Sequence, residues 1–519
     1  RREILLTGND GEQVPLTASR QIAFQILARV ERTASYATEL LHSPLTANLK
    51  EEDRRLAHEL VFGVLRWQGQ LDFLLEKIAA KSLARLDWEE RLALRLGLYQ
   101  MRFLERIPKA AAVDQSVELV KFARKRSAAG LVNAVLRKAG RRAPGASALG
   151  RGPLEGFLPQ ELSAAERLAI LHSHPGWLVE RWLAAFGGTR TESLLASNNQ
   201  HARLSCRLVT AQASPKEILA LLAGDKIEWE ESRWLKDAIT IRSGNIQRSA
   251  AWQRGWLAIQ DEASQMIALL LAPRPGNRVL DLCCAPGGKT AQLAALLDPR
   301  GNPRTLFGAD RHVHRLRRTR SLLLNVGVNT VPLVALDGSQ PLPFGVKFDR
   351  ILVDVPCSGT GTLARHPEIR WRLKPEDLGD FHRRQVALLR NALASLAPAG
   401  RLVYATCSLE QEENEEVVEE VLSGQAALRR LSAAEGSRAL APQLREAKLA
   451  EELFDPAGYF RTFPPEDHTD GFFAAIFEQA NGWGFPKQER PGSSSPLRKA
   501  SDPDLSGALV ISRGQSPAE

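Results

Sequence analysis

Cysteine is scarce in this 519-residue chain, at five residues: Cys206, Cys283, Cys284, Cys357 and Cys407. The number is odd and no two form a CxxC pair, which excludes a disulfide framework and a zinc ribbon, and no metal site is expected. Free thiols suit a reducing compartment, so the expected location is cytoplasmic. Aromatic residues are only 6% of the chain, too few to map a base-stacking surface. No apolar run approaches the roughly 18–20 residues of a membrane helix, and the polar N-terminus lacks the apolar core of a signal peptide. What remains is 44% hydrophobic and 25% charged, an ordinary globular mixture. At ~100–200 residues per domain, its length calls for two to four domains.

The net charge of +9 is not spread evenly. Residues 17–142 hold 23 Lys or Arg against 14 Asp or Glu, and the rest balances at 46 of each. A solvated helical surface and a nucleic-acid-binding module explain such a surplus equally well. The local pattern is helical. Leu92, Leu96, Tyr99 and Phe103 repeat on one helix face, and Val113, Val117 and Val120 do so after Pro108, which opens a new helix. Glu51-Glu52-Asp53 suits a helix N-terminus. An all-α bundle of five to seven helices is expected over 17–142, after a flexible arm at 1–16.

Residues 143–168, rich in Ala, Gly and Pro, read as a linker. Over 169–251 short strand-like runs flank a helix, giving a small α+β subdomain. From 252 to 479 strand-like runs at 278–282, 305–309, 331–336, 350–355, 401–406 and 472–477 alternate with helical stretches, the signature of a mostly parallel sheet covered by helices. The Pro-, Ser- and Gly-rich tail, 480–519, is expected to be disordered.

In an open α/β sheet, ligands bind beyond the carboxyl ends of the strands. Successive strands here lead into Asp281, Asp310, Asp337, Asp354 with Cys357, and Cys407. Singly, each aspartate reads as a turn cap; in register at successive strand ends they read as a site. The loop of Cys283, Cys284, Ala285, Pro286, Gly287, Gly288 and Lys289 nearly matches a phosphate-binding loop, with Gly288-Lys289-Thr290 in place. Cys283 replaces that motif's first glycine, and Pro286 lacks an N–H that a phosphate cradle would use. A nucleoside cofactor with an amino-acid end fits better. Asp310 suits a ribose diol and Asp337 an exocyclic amine, which together point to S-adenosylmethionine.

Cys357 and Cys407 each follow a strand and each precede Ser. The turn Pro356-Cys-Ser-Gly-Thr-Gly361 is expected to expose its sulfur. A thiol and a carboxylate, Asp354, beside a methyl donor suggest methylation of a pyrimidine. Cytosine C5 is a poor nucleophile; thiolate addition at C6 makes it attack a methyl group. Asp354 suits the N3/N4 edge of the base. The two thiols are symmetrical at this level, and the sequence does not say which attacks.

These motifs, Asp281-Leu-Cys-Cys-Ala-Pro-Gly-Gly-Lys-Thr290, Asp354-Val-Pro-Cys-Ser-Gly-Thr-Gly361 and Tyr404-Ala-Thr-Cys-Ser408, with Gln260-Asp-Glu-Ala-Ser-Gln265 and Asp470-Gly-Phe-Phe473, resemble the S-adenosylmethionine-dependent RNA cytosine-5 methyltransferases. Phe62-Gly-Val-Leu-Arg66, Arg106-Ile-Pro108, Ala112-Val-Asp114 and Leu131-Val-Asn-Ala-Val-Leu-Arg137 resemble the NusB-like RNA-binding domain. The fusion of the two resembles the RsmB (Sun/Fmu) family of bacterial 16S rRNA cytosine-5 methyltransferases, over about 17–478.

The resemblance implies a NusB-like bundle, a small α+β subdomain and a Rossmann-like methyltransferase domain with a mostly parallel seven-stranded sheet. It implies that Cys407 attacks, that Cys357 assists release, and that Asp354 joins them. Cofactor contacts are implied from Cys283 through Lys289 and from Asp310, Asp337 and Asp354. The implied partner is 16S rRNA, unassembled or partly assembled, met by a monomer. Departures are small: Cys284 and Val355 stand where Ala is usual, and Cys284 reads as a small buried loop residue rather than a third catalytic thiol. A non-catalytic RNA-binding assembly factor and the same chemistry on tRNA are the competing functions. Arg365, His366 and Arg372 follow the Cys357 loop, where a positive group lowers a thiol pKa or holds phosphate, or where the loop is merely solvated.

Overall fold

The structure, a computed structural model, describes residues 15–33, 35–141, 154–298, 300, 303–423, 428–479 and 509–511. The chain forms two compact units, one of Arg1–His201 with Leu363–Arg372, the other of Ala202–Thr362 with Leu373–Glu519. The arm expected at 1–16 lies outside the described residues up to residue 14, as does the expected linker over 143–153; its described remainder includes the start of helix Ala164–His172.

The first unit is all-α. Six α-helices span Ala18–Arg32, Ala37–Leu41, Glu51–Ala79, Trp88–Phe103, Lys109–Phe122 and Ala129–Gly140. The acidic triplet occupies the first turn of the 29-residue helix, beside its partially positive amide end, and Pro108 caps the helix that follows it. Leu92, Leu96 and Tyr99 are buried as the stripe requires, and Phe103 stacks on Tyr99 and Trp67. Part of the basic surplus is internal: Arg20, Arg66 and Arg95 are buried, and Arg95 holds Asp72 at 2.7 Å.

Two later stretches join this unit. Helices Ala164–His172, Gly176–Phe186 and Gly188–Asn198 pack here, so the residues grouped as 169–251 are divided between the units. The peptide Leu363–Arg372 does so as well. Its Trp371 indole N–H donates to Leu65 O (2.7 Å), and Arg372 donates to Val30 O (2.9 Å) and to Ser35 O. Burial, with Arg365 beside it, brings the His366 pKa down to about 4. Of the three groups singled out here in the sequence, Arg372 is spent on backbone carbonyls and His366 is neutral.

The second unit begins with a four-stranded antiparallel sheet of order β2-β3-β1-β4, built from β1 (Leu204–Leu208), β2 (Glu228–Glu231), β3 (Ala238–Ser243) and β4 (Leu257–Ile259). Helix Pro215–Gly224 covers it, capped by a Ser214–Glu217 box. The larger sheet contains β5 (Val279–Asp281), β6 (Leu306–Asp310), β7 (Leu333–Ala335), β8 (Phe348–Asp354) and β9 (Leu396–Thr406), mutually parallel in the order β7-β6-β5-β8-β9. The antiparallel β12 (Phe472–Gln479) pairs with β9 along one edge and, along the other, with the three-residue strands β10 (Leu428–Arg430) and β11 (Phe460–Thr462). A ninth strand, β13 (Leu509–Ile511), pairs antiparallel with β7. The short marginal strands raise the count from the seven implied by resemblance to nine. β13 also falls within the tail expected to be disordered; the rest of 480–519 lies outside the described residues.

Leu280, Ile351, Leu352, Val353, Leu402 and Val403 are essentially inaccessible, as the central strands of a doubly covered sheet must be. The chain runs outward from β5 in both directions, first through β6 and β7, then through β8 and β9. The switch point between β5 and β8 opens a crevice at their carboxyl ends. No described helix is long and apolar enough to cross a membrane.

Candidate active site

Every strand-end residue singled out in the sequence lies on that carboxyl edge. Asp281 ends β5, Asp310 ends β6 and Asp354 ends β8; Asp337 lies two residues past β7, and Cys407 directly follows β9. Cys283, Asp310, Asp337, Ser339 and Pro356 line a cleft of about 130 Å³. Asp337 accepts the Ser339 hydroxyl (2.6 Å) and amide N–H (3.0 Å), which hold its carboxylate below the usual range. It is thus an ionised acceptor. Asp310 accepts the His312 N–H (2.9 Å) and faces Arg315 at 3.3 Å. Arg311, Arg315 and Arg384 also line the cleft. Sequence reasoning missed all three, although five arginines between 311 and 320 with no acidic residue among them were a visible signal.

The loop from Cys283 to Lys289 climbs over this edge. Gly287 takes φ +109°, a left-handed conformation open to glycine, and starts helix Gly288–Leu297. A buried amide chain braces that helix. Gln260 donates to Gln292 Oε1 (3.3 Å), Gln292 to Gln265 O (3.1 Å), and Gln265 to Gln260 O (2.9 Å). The first motif of the catalytic domain is thereby explained. Cys284, one of the expected cofactor contacts, has its side chain packed inward. Its side chain is 4% exposed, its N–H donates to Ala309 O (2.8 Å), and burial raises its thiol pKa well above normal. The Lys289 ammonium is engaged by Asp354 (Oδ2, 2.7 Å) and lies over the Phe472 ring.

The arrangement fits a cationic nucleoside cofactor. Asp281 is buried, accepts the Thr290 hydroxyl on Oδ2 (2.7 Å), and leaves Oδ1 without a partner. Burial, then the neighbouring Asp354 and Asp310 charges, push its pKa up to about 7. The ordinary value is 3.8, so between the two the folded chain keeps a proton that the unfolded chain releases, and stability falls as pH rises through this window. Asp281→Asn is expected to remove that slope. Urea midpoints of the ligand-free protein between about pH 4 and 8 should show the variant gaining a few kcal/mol on its parent; parallel curves would contradict the assignment.

The two thiols meet. Cys357 Sγ and Cys407 Sγ are 3.2 Å apart, and both residues are partly buried. The sulfur of Cys357 is therefore not displayed by its turn, as the sequence suggested, but packed on its counterpart. The hydrogen bond with Cys407, and then burial, raise the Cys357 pKa well above normal, so it holds its proton. The two loops are tied by Gly361 N–H to Cys407 O (2.9 Å). A Cβ at Gly361 would come within 2.2 Å of Gly471 O, so the late Asp-Gly-Phe-Phe motif is the floor beneath the Cys357 loop. Glu413, passed over in the sequence, lies buried beneath both loops.

Comparison with known proteins gives three family matches. The 16S rRNA methyltransferase RsmB/F family matches residues 268–478 and the NusB family residues 17–141. The ferredoxin-like domain of RsmF/B-like methyltransferases matches residues 174–246. Among curated relatives, the probable ribosomal RNA small subunit methyltransferase B of Synechocystis is 32% identical over 90% of this chain and 100% of its own length. The Bacillus subtilis protein described in the same words is 33% identical over 78% of this chain and 87% of its own. A crystallised methyltransferase homolog from Pyrococcus horikoshii is 28% identical with TM-score 0.51, over 61% of this chain and 100% of that one.

Proposed function

We propose that this chain, which belongs to the RsmB/F family of 16S rRNA methyltransferases, methylates C5 of a cytosine in small-subunit ribosomal RNA through a covalent bond between Cys407 and C6 of the base. Its methyl donor is S-adenosylmethionine, which supplies an electrophilic methyl group on a sulfonium centre. The loop residues Cys283 and Ala285 through Gly288 present backbone to that donor, Asp310 takes the ribose diol, and Asp337 takes the exocyclic amine. Lys289 holds Asp354, whose remaining oxygen is left for the N3/N4 edge of the cytosine.

The observation that carries the mechanism is the contact of the two thiols, 3.2 Å apart at the carboxyl edge. Cys407 adds to C6 as a thiolate, and the electron pair moved to C5 takes the methyl group. A base removes the C5 proton, the pair returns to the ring, and the C6–S bond breaks. The Cys357 S–H, 3.2 Å away, stabilises the departing thiolate. Holding its proton suits Cys357 to release rather than attack.

The basic segment 17–142 captures RNA, and the remainder, balanced in charge, does the chemistry. The substrate is 16S rRNA, bare or partly assembled, bound by a monomer in the cytoplasm, with the domain limits set out above. The deciding experiment incubates 16S rRNA from a strain lacking the gene with the protein and S-adenosylmethionine, followed by bisulfite sequencing. One cytosine is expected to become resistant to deamination. Methyl incorporation without any new resistant cytosine would overturn C5 as the target.

A further inference from the structure

The sequence repeats a pair, Cys357-Ser358 and Cys407-Ser408, without showing why a serine should follow each thiol. Glu413 supplies the reason. Its Oε2 accepts the Ser358 N–H (2.8 Å), and its Oε1 accepts the Ser408 hydroxyl (2.6 Å). Gln385 Nε2 donates to the same Oε2 (2.9 Å) and to Pro356 O (3.0 Å), just before Cys357. Ser408 Oγ also accepts the Glu410 N–H (3.1 Å) and lies 3.0 Å from Ser358 Oγ. Tyr404, within β9, donates its hydroxyl to the Glu413 carbonyl (2.6 Å), fixing the carboxylate's own backbone. Glu413 is fully buried.

We propose that Glu413 is a positioning residue for the thiol pair: one carboxylate, hydrogen-bonded to the residue after each cysteine, holds the two sulfurs in contact. Only an acidic side chain serves here. Its two oxygens are both acceptors, and Ser358 N–H, Ser408 O–H and the Gln385 amide are all donors. An amide would turn an N–H₂ toward one of these donors. Removing the charge leaves a buried donor unpaired and lets the two loops move independently. Glu413 is not a catalytic residue in the sense of meeting the substrate. This assignment rests on the thiol-pair reading above, and its test separates the two.

The test reads sulfur proximity without catalysis. Full-length protein is treated with the azo oxidant diamide, which takes two electrons and two protons from the pair to become the hydrazine as the Cys357–Cys407 disulfide forms. The linked peptides are quantified by mass spectrometry. In Glu413→Gln the rate of disulfide formation is expected to fall by about tenfold or more. Turnover falls by a similar factor at saturating RNA, while the Kd for S-adenosylmethionine stays within about twofold, because Glu413 does not line the cofactor cleft. Ser408→Ala, which removes one arm and keeps the charge, should show a smaller loss of both rates and serves as the test if Glu413→Gln does not fold. An unchanged disulfide rate in whichever variant folds overturns the assignment. So does a loss of S-adenosylmethionine binding in step with turnover, which would mark Glu413 as merely structural. If Cys407→Ala proved active, the covalent mechanism would fail while the disulfide rates still judged Glu413.

Discussion

Cys407→Ala is expected to lower methyl transfer from labelled S-adenosylmethionine to 16S rRNA by about 10⁴-fold or more, and Cys357→Ala to leave RNA covalently attached to protein on a denaturing gel. The first follows from the base: without a nucleophile at C6 there is no electron pair at C5 for the methyl group, and a loss of 10⁴ corresponds to about 5.5 kcal/mol of barrier. The second follows from the contact between the sulfurs. Cys357 lies 3.2 Å from the sulfur that must depart and holds its proton. An alanine there removes the group that stabilises the leaving thiolate but leaves the attacking one intact, so addition proceeds and release slows. Neither sulfur lines the cofactor cleft, so both variants should bind S-adenosylmethionine with unchanged affinity. A fully active Cys407→Ala protein would remove the covalent mechanism. An adduct accumulating in Cys407→Ala instead would exchange the two roles.

The contact between the thiols was invisible in the sequence, where both are Cys-Ser pairs at strand ends. It joins residues 50 positions apart, and with burial it is what raises the Cys357 pKa. What the sequence did make legible was set by local rules. Alternating strand and helix runs located β5 through β9 and β12, because a doubly covered parallel sheet needs near-continuous apolar strands. The carboxyl-edge aspartates followed from the strand ends. The antiparallel margins carried less signal: β10 and β11 are as short as β5 and β7, but Leu428-Arg-Arg430 and Phe460-Arg-Thr462 lack their apolar character, and β13 lies in a tail rich in Pro, Ser and Gly. Glu413 was hidden in an acidic run, Glu410 to Glu416, that reads as a solvated helix start. Its burial depends on the Cys357 loop and Gln385, both distant in sequence, as well as on the adjacent Cys407 loop.

Domain-averaged charge also hides where individual cations sit. Averaging over 17–142 and over the remainder made the helical segment the sole basic region. Yet Arg20, Arg66 and Arg95 in that segment are internal, while Arg311, Arg315 and Arg384 in the balanced remainder line the cleft. A net count over a domain fixes its long-range field, not which groups meet a ligand.

The same separation of charge from surface is sharpest at Arg370. Its side chain is fully buried in the helical unit, though its sequence position between Cys357 and helix Pro375–Ala394 gave no hint of that. The guanidinium reaches Ser173 O (3.2 Å), Asn198 O (3.0 Å) and Asn199 Oδ1 (2.8 Å). Ser173 and Asn199 cap helices Ala164–His172 and Gly188–Asn198, whose last carbonyls have no intrahelical donors and carry partial negative charge. Burial brings the Arg370 pKa down to about 9, so it stays charged at neutral pH and its planar fork serves two helix ends at once. Arg370→Met keeps the bulk but strands those buried acceptors. It is expected to cost about 3–5 kcal/mol, and calorimetry should show the transition of the helical unit about 10 °C lower. Arg370→Lys should recover only a minor part, because one ammonium cannot span the same acceptors. Amide exchange should accelerate first in helices Ala164–His172 and Gly188–Asn198, where the carbonyls are lost. An Arg370→Met protein melting with its parent would show instead that packing of Leu363–Arg372, including the Trp371 indole bonded to Leu65 O, holds the peptide in place without the charge.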